Sequence, residues 1–542
     1  MSESDREKTP LAKASPTFAL LNLPVELVEK IICTLCTHCQ PQKQFITWRS
    51  DLVRLCLVSR LVRAIAQPIL FHHYTLGWAS NGATLLLFLR TLVQRPDLSQ
   101  AVRTVHLTPP GYRGPDSVYY SIIADAARTC LEAEYMDQLF LWPTNPTDGI
   151  ERVQPNWEQW SELGLDIGEF CEELLLYHTP QLENLAMLRA RKPGSTRHHS
   201  STREVSYENQ LVKLNATLNL PFLRRLTLNR KLQAGYVAPL YISRFARLLA
   251  TIKSLHTLET DAVGFMDPET SSQRIKAALT EAECANCLGN LKVLSFTKLL
   301  RMPHDELQHM VQMCTSLEVI QFSTAFKNTS PAGFVRAIEA AAPTLKRVKL
   351  DLVRLHSRNG PMLDMYTNNE PLPFSEQGSV DGIPYPSYEP VGSSAFQNFT
   401  ALEVLWIDQA AYRPLRILPV RLSALSEKER SNVPPSMQNP GVDSDDDGEK
   451  LAKLLPPLIR VLVITNVYQP NIFDDLINLA LMAASGHFSR LRKVVVGAED
   501  YPNQINQWAI KSEFMKAGIV VEFGTVNEGA YDITDERCFL TA

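Results

Sequence analysis

The sequence predicts an α/β fold in which a small N-terminal helical unit precedes a long, irregular array of strand–helix units whose strands share one curved parallel sheet. Three observations predict it. A short apolar pattern recurs along the chain, the stretches between its copies carry helical spacing, and residues 20–76 read as a compact trio of helices. At roughly 150 residues per domain, 542 residues suit several domains or a repeat array better than one small unit.

The recurring pattern is an apolar residue, two variable residues, a second apolar residue, one variable residue and a third apolar residue. It occurs at Val102-Val105-Leu107, Leu182-Leu185-Met187, Leu223-Leu226-Leu228, Leu291-Leu294-Phe296, Leu317-Ile320-Phe322, Leu345-Val348-Leu350, Leu402-Leu405-Ile407, Ile459-Leu462-Ile464 and Leu491-Val494-Val496, with a weaker copy at Leu255-Leu258. The last two apolar positions alternate with one residue between them, which is strand periodicity. Between copies, Asp305 to Cys314 places Leu307, Met310, Val311 and Cys314 on one helical face. Phe334 to Ala341, Phe473 to Ala484 and Ile505 to Lys516 have similar spacing. Repeated strand–helix units in a chain of this length predict parallel strands stacked along an axis.

Residues 356–398 and 413–450 interrupt the spacing. The first is rich in proline, glycine, serine and asparagine; the second holds Pro434-Pro435 and the acidic run Asp443 to Glu449. Both compositions predict loop insertions. The acidic run lacks the alternating ligands and the twelfth-position Glu of a calcium loop, so it reads as a solvated loop. The basic stretch Arg189 to Arg203 reads the same way.

In residues 20–76, Pro24 stands at a helix start, where its missing N–H costs nothing, and Glu26 lies at the positive end of the helix dipole. Leu27, Ile31, Ile32 and Leu35 are expected on one apolar face. Ser50 is expected to cap a second helical stretch that runs through Asp51–Arg60 to Phe71. Residues 1–19 and 531–542 are expected to be tails, and 77–530 the repeat array.

The strand–helix alternation over about residues 100 to 525 resembles a leucine-rich-repeat solenoid. Starts at 291, 317 and 345 are 26 and 28 residues apart, near the family's 20 to 29, whereas the two following steps are 57 each. The usual Asn or Cys position holds Pro110, Leu299, Ala325, Val353, Ala410, Val467 and Glu499, so no asparagine ladder is expected. The N-terminal unit resembles an F-box. The resemblance rests on Leu23-Pro24-x-Glu26-Leu27, Ile31-Ile32-x-x-Leu35, Leu55-x-Leu57-Val58-Ser59-Arg60 and Pro68-x-Leu70-Phe71. With Leu89-Arg90-Thr91-Leu92 and Arg95-Pro96-Asp97-Leu98 following, the whole is similar to fungal F-box proteins with degenerate leucine-rich repeats. One departure is the connection Thr37 to Trp48, longer than most F-boxes need between their first two helices.

The resemblance implies a substrate receptor of a ubiquitin ligase. The F-box docks a Skp adaptor, the adaptor links it to a cullin scaffold, and the repeats hold an unknown target protein. Carried onto this chain, Leu23, Pro24, Leu27, Ile31, Leu55, Leu57, Val58 and Ser59 build the adaptor surface or the core directly behind it. Residues between buried strand positions point the opposite way. Thr227, Ser295, Gln321, Lys349, Trp406 and Val463 are therefore expected as an exposed row, flanked by Arg225, Arg347, Asp351 and Asp408. Trp406 is expected to anchor the target, with Arg347, Lys349 and Asp408 around it, unless an insertion folds over it. The alternatives are a helical cap on the array, a non-degradative scaffold, or a hydrolase hidden in the repeats.

No nucleophile elbow, phosphate loop, zinc-protease helix or dinucleotide fingerprint occurs, so no enzyme activity and no catalytic residue are expected. Cys33, Cys36, His38 and Cys39 have metal-ligand spacing, and Cys284 and Cys287 form a second Cys-x-x-Cys. Cys33 and Cys36 are expected on the docking helix and the second pair lies about 245 residues away, so both sets read as buried or surface thiols with no metal and no other cofactor. The net charge of -4 gives no field for nucleic acid or an anionic membrane. A polar N-terminus, sparse cysteines and the absence of an 18-residue apolar run place the chain in the cytoplasm or nucleus.

Overall fold

In a computed structural model, the described residues are 23–36, 38–39, 45–75, 82–107, 119–142, 153–162, 167–188, 218–229, 240–241, 248–249, 252–261, 263–264, 288–299, 304–325, 330–353, 389–412, 450–467, 472–498 and 504–524. The expected tails, the basic stretch Arg189–Arg203, Cys284, Cys287 and most of both insertions lie outside them. Among these residues no helix is long and apolar enough to cross a membrane.

The described residues open with three helices: α1 (Val25–Cys33), α2 (Phe45–Val58) and α3 (Arg60–Phe71). Pro24 precedes α1 and its carbonyl accepts the N–H groups of Leu27 and Val28. Ser59 starts α3, its Oγ accepting from the Val62 N–H at 3.1 Å. Ser50, expected as a cap, lies inside α2, which begins at Phe45 and so shortens the α1–α2 connection. Val28, Ile32, Cys36, Leu52, Val62, Ala66 and Ile69 form the core of this unit. The expected single face of α1 is split, because Val28 and Ile32 point inward one turn apart while Leu27 and Ile31 point outward.

A mixed α/β body follows, built on one twelve-stranded parallel sheet. Its strands are β1 (His73–Thr75), β2 (Thr104–Leu107), β3 (Asn184–Leu188), β4 (Arg225–Asn229), β5 (Thr257–Asp261), β6 (Val293–Leu299), β7 (Val319–Ala325), β8 (Arg347–Val353), β9 (Val404–Asp408), β10 (Val461–Val467), β11 (Lys493–Ala498) and β12 (Val520–Phe523). Each lies beside its predecessor. All ten expected strands are present. The sequence reading missed β1 and β12, the two edge strands; in register with β11, the first position of the pattern at β12 is Gly518, so the triplet is broken there. β1 falls within residues 20–76 and directly follows α3, so the sheet begins without a linker.

Register is uniform across the middle of the sheet. Leu294, Ile320, Val348, Leu405, Leu462 and Val494 are consecutive partners, as are Phe296, Phe322, Leu350, Ile407, Ile464 and Val496. All twelve are buried in the main core. Helices His304–Met313, Pro331–Ile338, Ile472–Ala484 and Gln504–Lys516 connect successive strands, and Leu307, Met310, Val311 and Cys314 are buried as their spacing requires. β8, β9 and β10 are adjacent, so neither insertion interrupts the sheet. The end of the first expected insertion belongs to the core. Phe396 is buried, and the Val391 N–H donates to the Ala411 carbonyl at 2.8 Å.

The strand starts share one device. The His72 carbonyl accepts from the N–H groups of both Arg103 and Thr104. The carbonyls of Arg103, Glu183, Arg224, His256, Lys292, Glu318, Lys346, Glu403 and Arg460 repeat this toward the next unit. Their side chains form a charged row in which Glu318 meets Lys346 at 2.9 Å and Lys292 at 3.6 Å, and Arg103 meets Glu183 at 3.5 Å.

Leu294→Ala or Leu405→Ala should lower unfolding free energy by about 2–5 kcal/mol, because each leaves a cavity in a core that relaxes only partly; a chemical-denaturation midpoint checks this. A second outcome follows from His178, whose Nε2 lies 3.0 Å from Thr129 Oγ1 and 3.3 Å from the Ala126 carbonyl. Burial holds its imidazole below the ordinary value, and the Ala126 carbonyl only partly offsets this. The unfolded chain therefore takes up a proton near pH 6.5 that the folded chain refuses, so stability should fall as pH drops through that value. His178→Gln should flatten the slope of melting temperature against pH between about pH 7 and 5, whatever its effect on the level.

Candidate functional site

The three-helix unit leaves much of its apolar surface in solvent. Of sixteen large apolar side chains exposed among the described residues, seven lie on it: Val25, Leu27, Ile31, Val53, Leu57, Val58 and Leu61. Single exposed leucines are ordinary, but such a concentration makes this unit the candidate docking surface of the described residues. Leu57 is 72% and Val58 67% exposed, although both end a helix whose Leu52 is buried. Leu27 and Ile31 are one turn apart on α1, and Val53 and Leu57 one turn apart on α2. Of the residues carried over from the resemblance, Pro24, Leu27, Ile31, Leu57 and Val58 are on the surface. Leu23 and Leu55 are half-buried against the helical core, and Ser59 acts as the α3 cap. Val25, Val53 and Leu61 went unread, although the four-residue step from Val53 to Leu57 was there to find.

The expected target row has a different outcome. Lys349 and Trp406 are in-register partners on β8 and β9, but Trp406 is only 1% exposed, and Ser295, Lys349, Val463, Arg347, Asp351 and Asp408 are buried as well. Only Thr227 and Gln321, half-buried, and Arg225, exposed, keep access to solvent. The expectation of an exposed row fails because this face carries an apolar cluster of its own: Val319, Val404, Trp406, Val461, Val463 and Val495. Lys349 Nζ lies 3.9 Å from the centre of the Trp406 ring, and Trp406 Nε1–H donates to Thr465 Oγ1 at 3.3 Å. Toward β4 and β5 the same face is polar, with Arg225 Nη2 2.6 Å from Glu259 Oε1 and Thr227 Oγ1 3.0 Å from Glu259 Oε2.

A third arrangement joins the helical unit to the sheet. Cys36, His38 and Cys39 follow α1, and His72 ends α3; their ligand atoms all lie within 4.8 Å of one another. His72 Nδ1 is 3.8 Å from Cys36 Sγ and 3.7 Å from Cys39 Sγ, and His38 Nδ1 is 3.8 Å from Cys39 Sγ. Cys33, expected with this group, interacts with Cys39. On its other side His38 Nε2 lies 3.6 Å from Glu183 Oε2. Burial, reinforced by the charges of His38 and Arg103, pushes His72 down to about 4. Burial also lowers His38 against the opposing pull of Glu183, so both rings are neutral at physiological pH. The Cys39 thiol is pushed up, first by burial and then by Cys36 and Cys33. His72 was invisible from sequence because 32 residues separate it from Cys39.

No protein-family model matches the chain, and no curated protein matches it.

Trp406→Ala should act on folding rather than on a surface contact, lowering unfolding free energy by about 3–5 kcal/mol. Lys349→Met should cost less, about 2 kcal/mol, the size of a desolvated cation–π contact. Denaturation of both variants checks the order.

Proposed function

We propose that the chain is the substrate-recognition subunit of a Skp–cullin–F-box ubiquitin ligase. Residues 23–71 are its F-box and the twelve-stranded body an irregular leucine-rich-repeat solenoid. The observation that carries this reading is the set of seven exposed apolar side chains on a three-helix unit that also holds the Leu23-Pro24-x-Glu26-Leu27 and Leu55-x-Leu57-Val58-Ser59 motifs. Withdrawing a large apolar side chain from water is worth roughly 1.5–3 kcal/mol, so a few of them supply the centre of a stable interface. The Skp adaptor is the partner proposed for this surface, with the cullin scaffold reached through it. The sequential pairing of strands and the 26- and 28-residue steps support the repeat reading.

In this reading the chain performs no chemistry of its own and presents a target protein to the assembled ligase. Arg347, Lys349, Trp406 and Asp408 then act as the buried floor of the target-facing side, shaping it rather than touching the target first.

Leu57→Asp tests the adaptor contact, since a carboxylate at so exposed a position leaves the helical core intact but places an unpaired charge in the interface. Purified with the Skp adaptor, this variant should bind at least about 30-fold more weakly, the equivalent of a 2 kcal/mol hot spot, with an unchanged melting temperature. Unchanged adaptor affinity would leave the non-degradative scaffold as the better description.

A further inference from the structure

We propose that Cys36, His38, Cys39 and His72 bind one zinc ion, forming a closed tetrahedral site that pins the turn after α1 and the end of α3 to the first strands of the sheet. A zinc ion with Zn–S near 2.3 Å and Zn–N near 2.0–2.1 Å holds its four ligand atoms about 3.3–3.8 Å apart. Three sulfur–nitrogen pairs already stand at 3.7 to 3.8 Å, and the widest separation, 4.8 Å at most, needs to close by only about 1 Å. Cys36-x-x-Cys39 has the spacing that lets a single turn offer two sulfurs to one ion.

The donor types select the metal. Two thiolates and two neutral imidazoles balance a dipositive charge in a partly buried place, and sulfur–nitrogen donors in this geometry favour zinc over the oxygen-seeking magnesium and calcium. Four protein ligands leave no open position, so the site is structural rather than catalytic. The surroundings also fit. His38 turns Nδ1 toward Cys39 and Nε2 toward the Glu183 carboxylate, the outer partner that orients a metal-binding histidine. Glu183 stands immediately before β3 and accepts the N–H groups of Arg224 and Arg225 through its carbonyl, so its side chain is anchored to the sheet. Binding releases the two thiol protons as each sulfur takes its place on the ion. Cys33 is the nearby sulfur left outside.

The experiment is metal analysis of the full chain, prepared without a histidine tag and dialysed against metal-free buffer. Elemental mass spectrometry should find about one zinc per chain, and Cys36→Ser and Cys39→Ser should each lose it. Cys33→Ser should keep it. Replacement with cobalt should give tetrahedral d–d absorption with sulfur-to-metal charge transfer, absent in Cys36→Ser/Cys39→Ser. Should the cysteine variants fail to fold, Glu183→Gln supplies the second test: it should keep the ion but bind it about 10- to 100-fold more weakly in competition with a chromophoric chelator. A folded wild-type chain without zinc overturns the proposal. So does zinc retained in Cys36→Ser/Cys39→Ser, zinc lost in Cys33→Ser, or an affinity unchanged in Glu183→Gln. None of these outcomes depends on adaptor binding.

Discussion

At the start of nearly every strand, one backbone carbonyl accepts two N–H groups from the next unit, and this shared acceptor recurs from His72 to Arg460. It sets where each strand begins against its neighbour. Because side chains alternate along a strand, a fixed start decides which residues enter the core, and a slip of one residue would turn every apolar row outward. The same positions bear charged or histidine side chains at the edge of the sheet. Spaced by one strand, about 4.8 Å, they pair Glu318 with Lys292 and Lys346, and Glu403 with Arg460. These exposed pairs add little stability individually; they accompany a register set by backbone and core.

The two faces of the sheet then diverge. One face packs continuously on the helices and joins the main core. The other changes character along the array, from histidines and an Arg225–Glu259 pair in the first strands to valines and Trp406 in the later ones. Parallel sheets buried on both sides read as unbroken apolar runs, and Val461-Leu462-Val463-Ile464 and Val494-Val495-Val496 are runs of this kind. Within the apolar half, Lys349 remains buried because the Trp406 ring lies under its ammonium and Asp351 lies 3.9 Å away.

His72 is where helical unit and sheet become continuous. Its backbone ends α3 and begins the carbonyl series, while its imidazole meets two cysteines from beyond α1. Glu183, another member of the series, holds His38 from the opposite side. The long connection between α1 and α2 is thereby tied at its start to the same backbone ladder that orders the strands. The exposed apolar surface of α1 and α2 therefore belongs to a unit joined to the sheet through His72 and Glu183.

The sequence by itself determined ten of the twelve strand positions, helices between them and the three-helix start, because strand and helix periodicities are local and each buried row needs an apolar residue at a fixed step. Through the resemblance its motifs carry, it also offered Leu27, Ile31, Leu57 and Val58 as candidates for a docking surface, since each motif is a short run of the chain. It did not show that Leu27 and Ile32 part company on α1, because an apolar residue at one stripe is indistinguishable from one at the next until helices pack. Only the tertiary structure decided that Trp406 is covered, for alternation tells which way a side chain points and not what lies beyond it. Only the tertiary structure brought His72 to Cys36 and Cys39, because a contact between the two ends of a helical unit depends on how helices cross, and no local spacing encodes that.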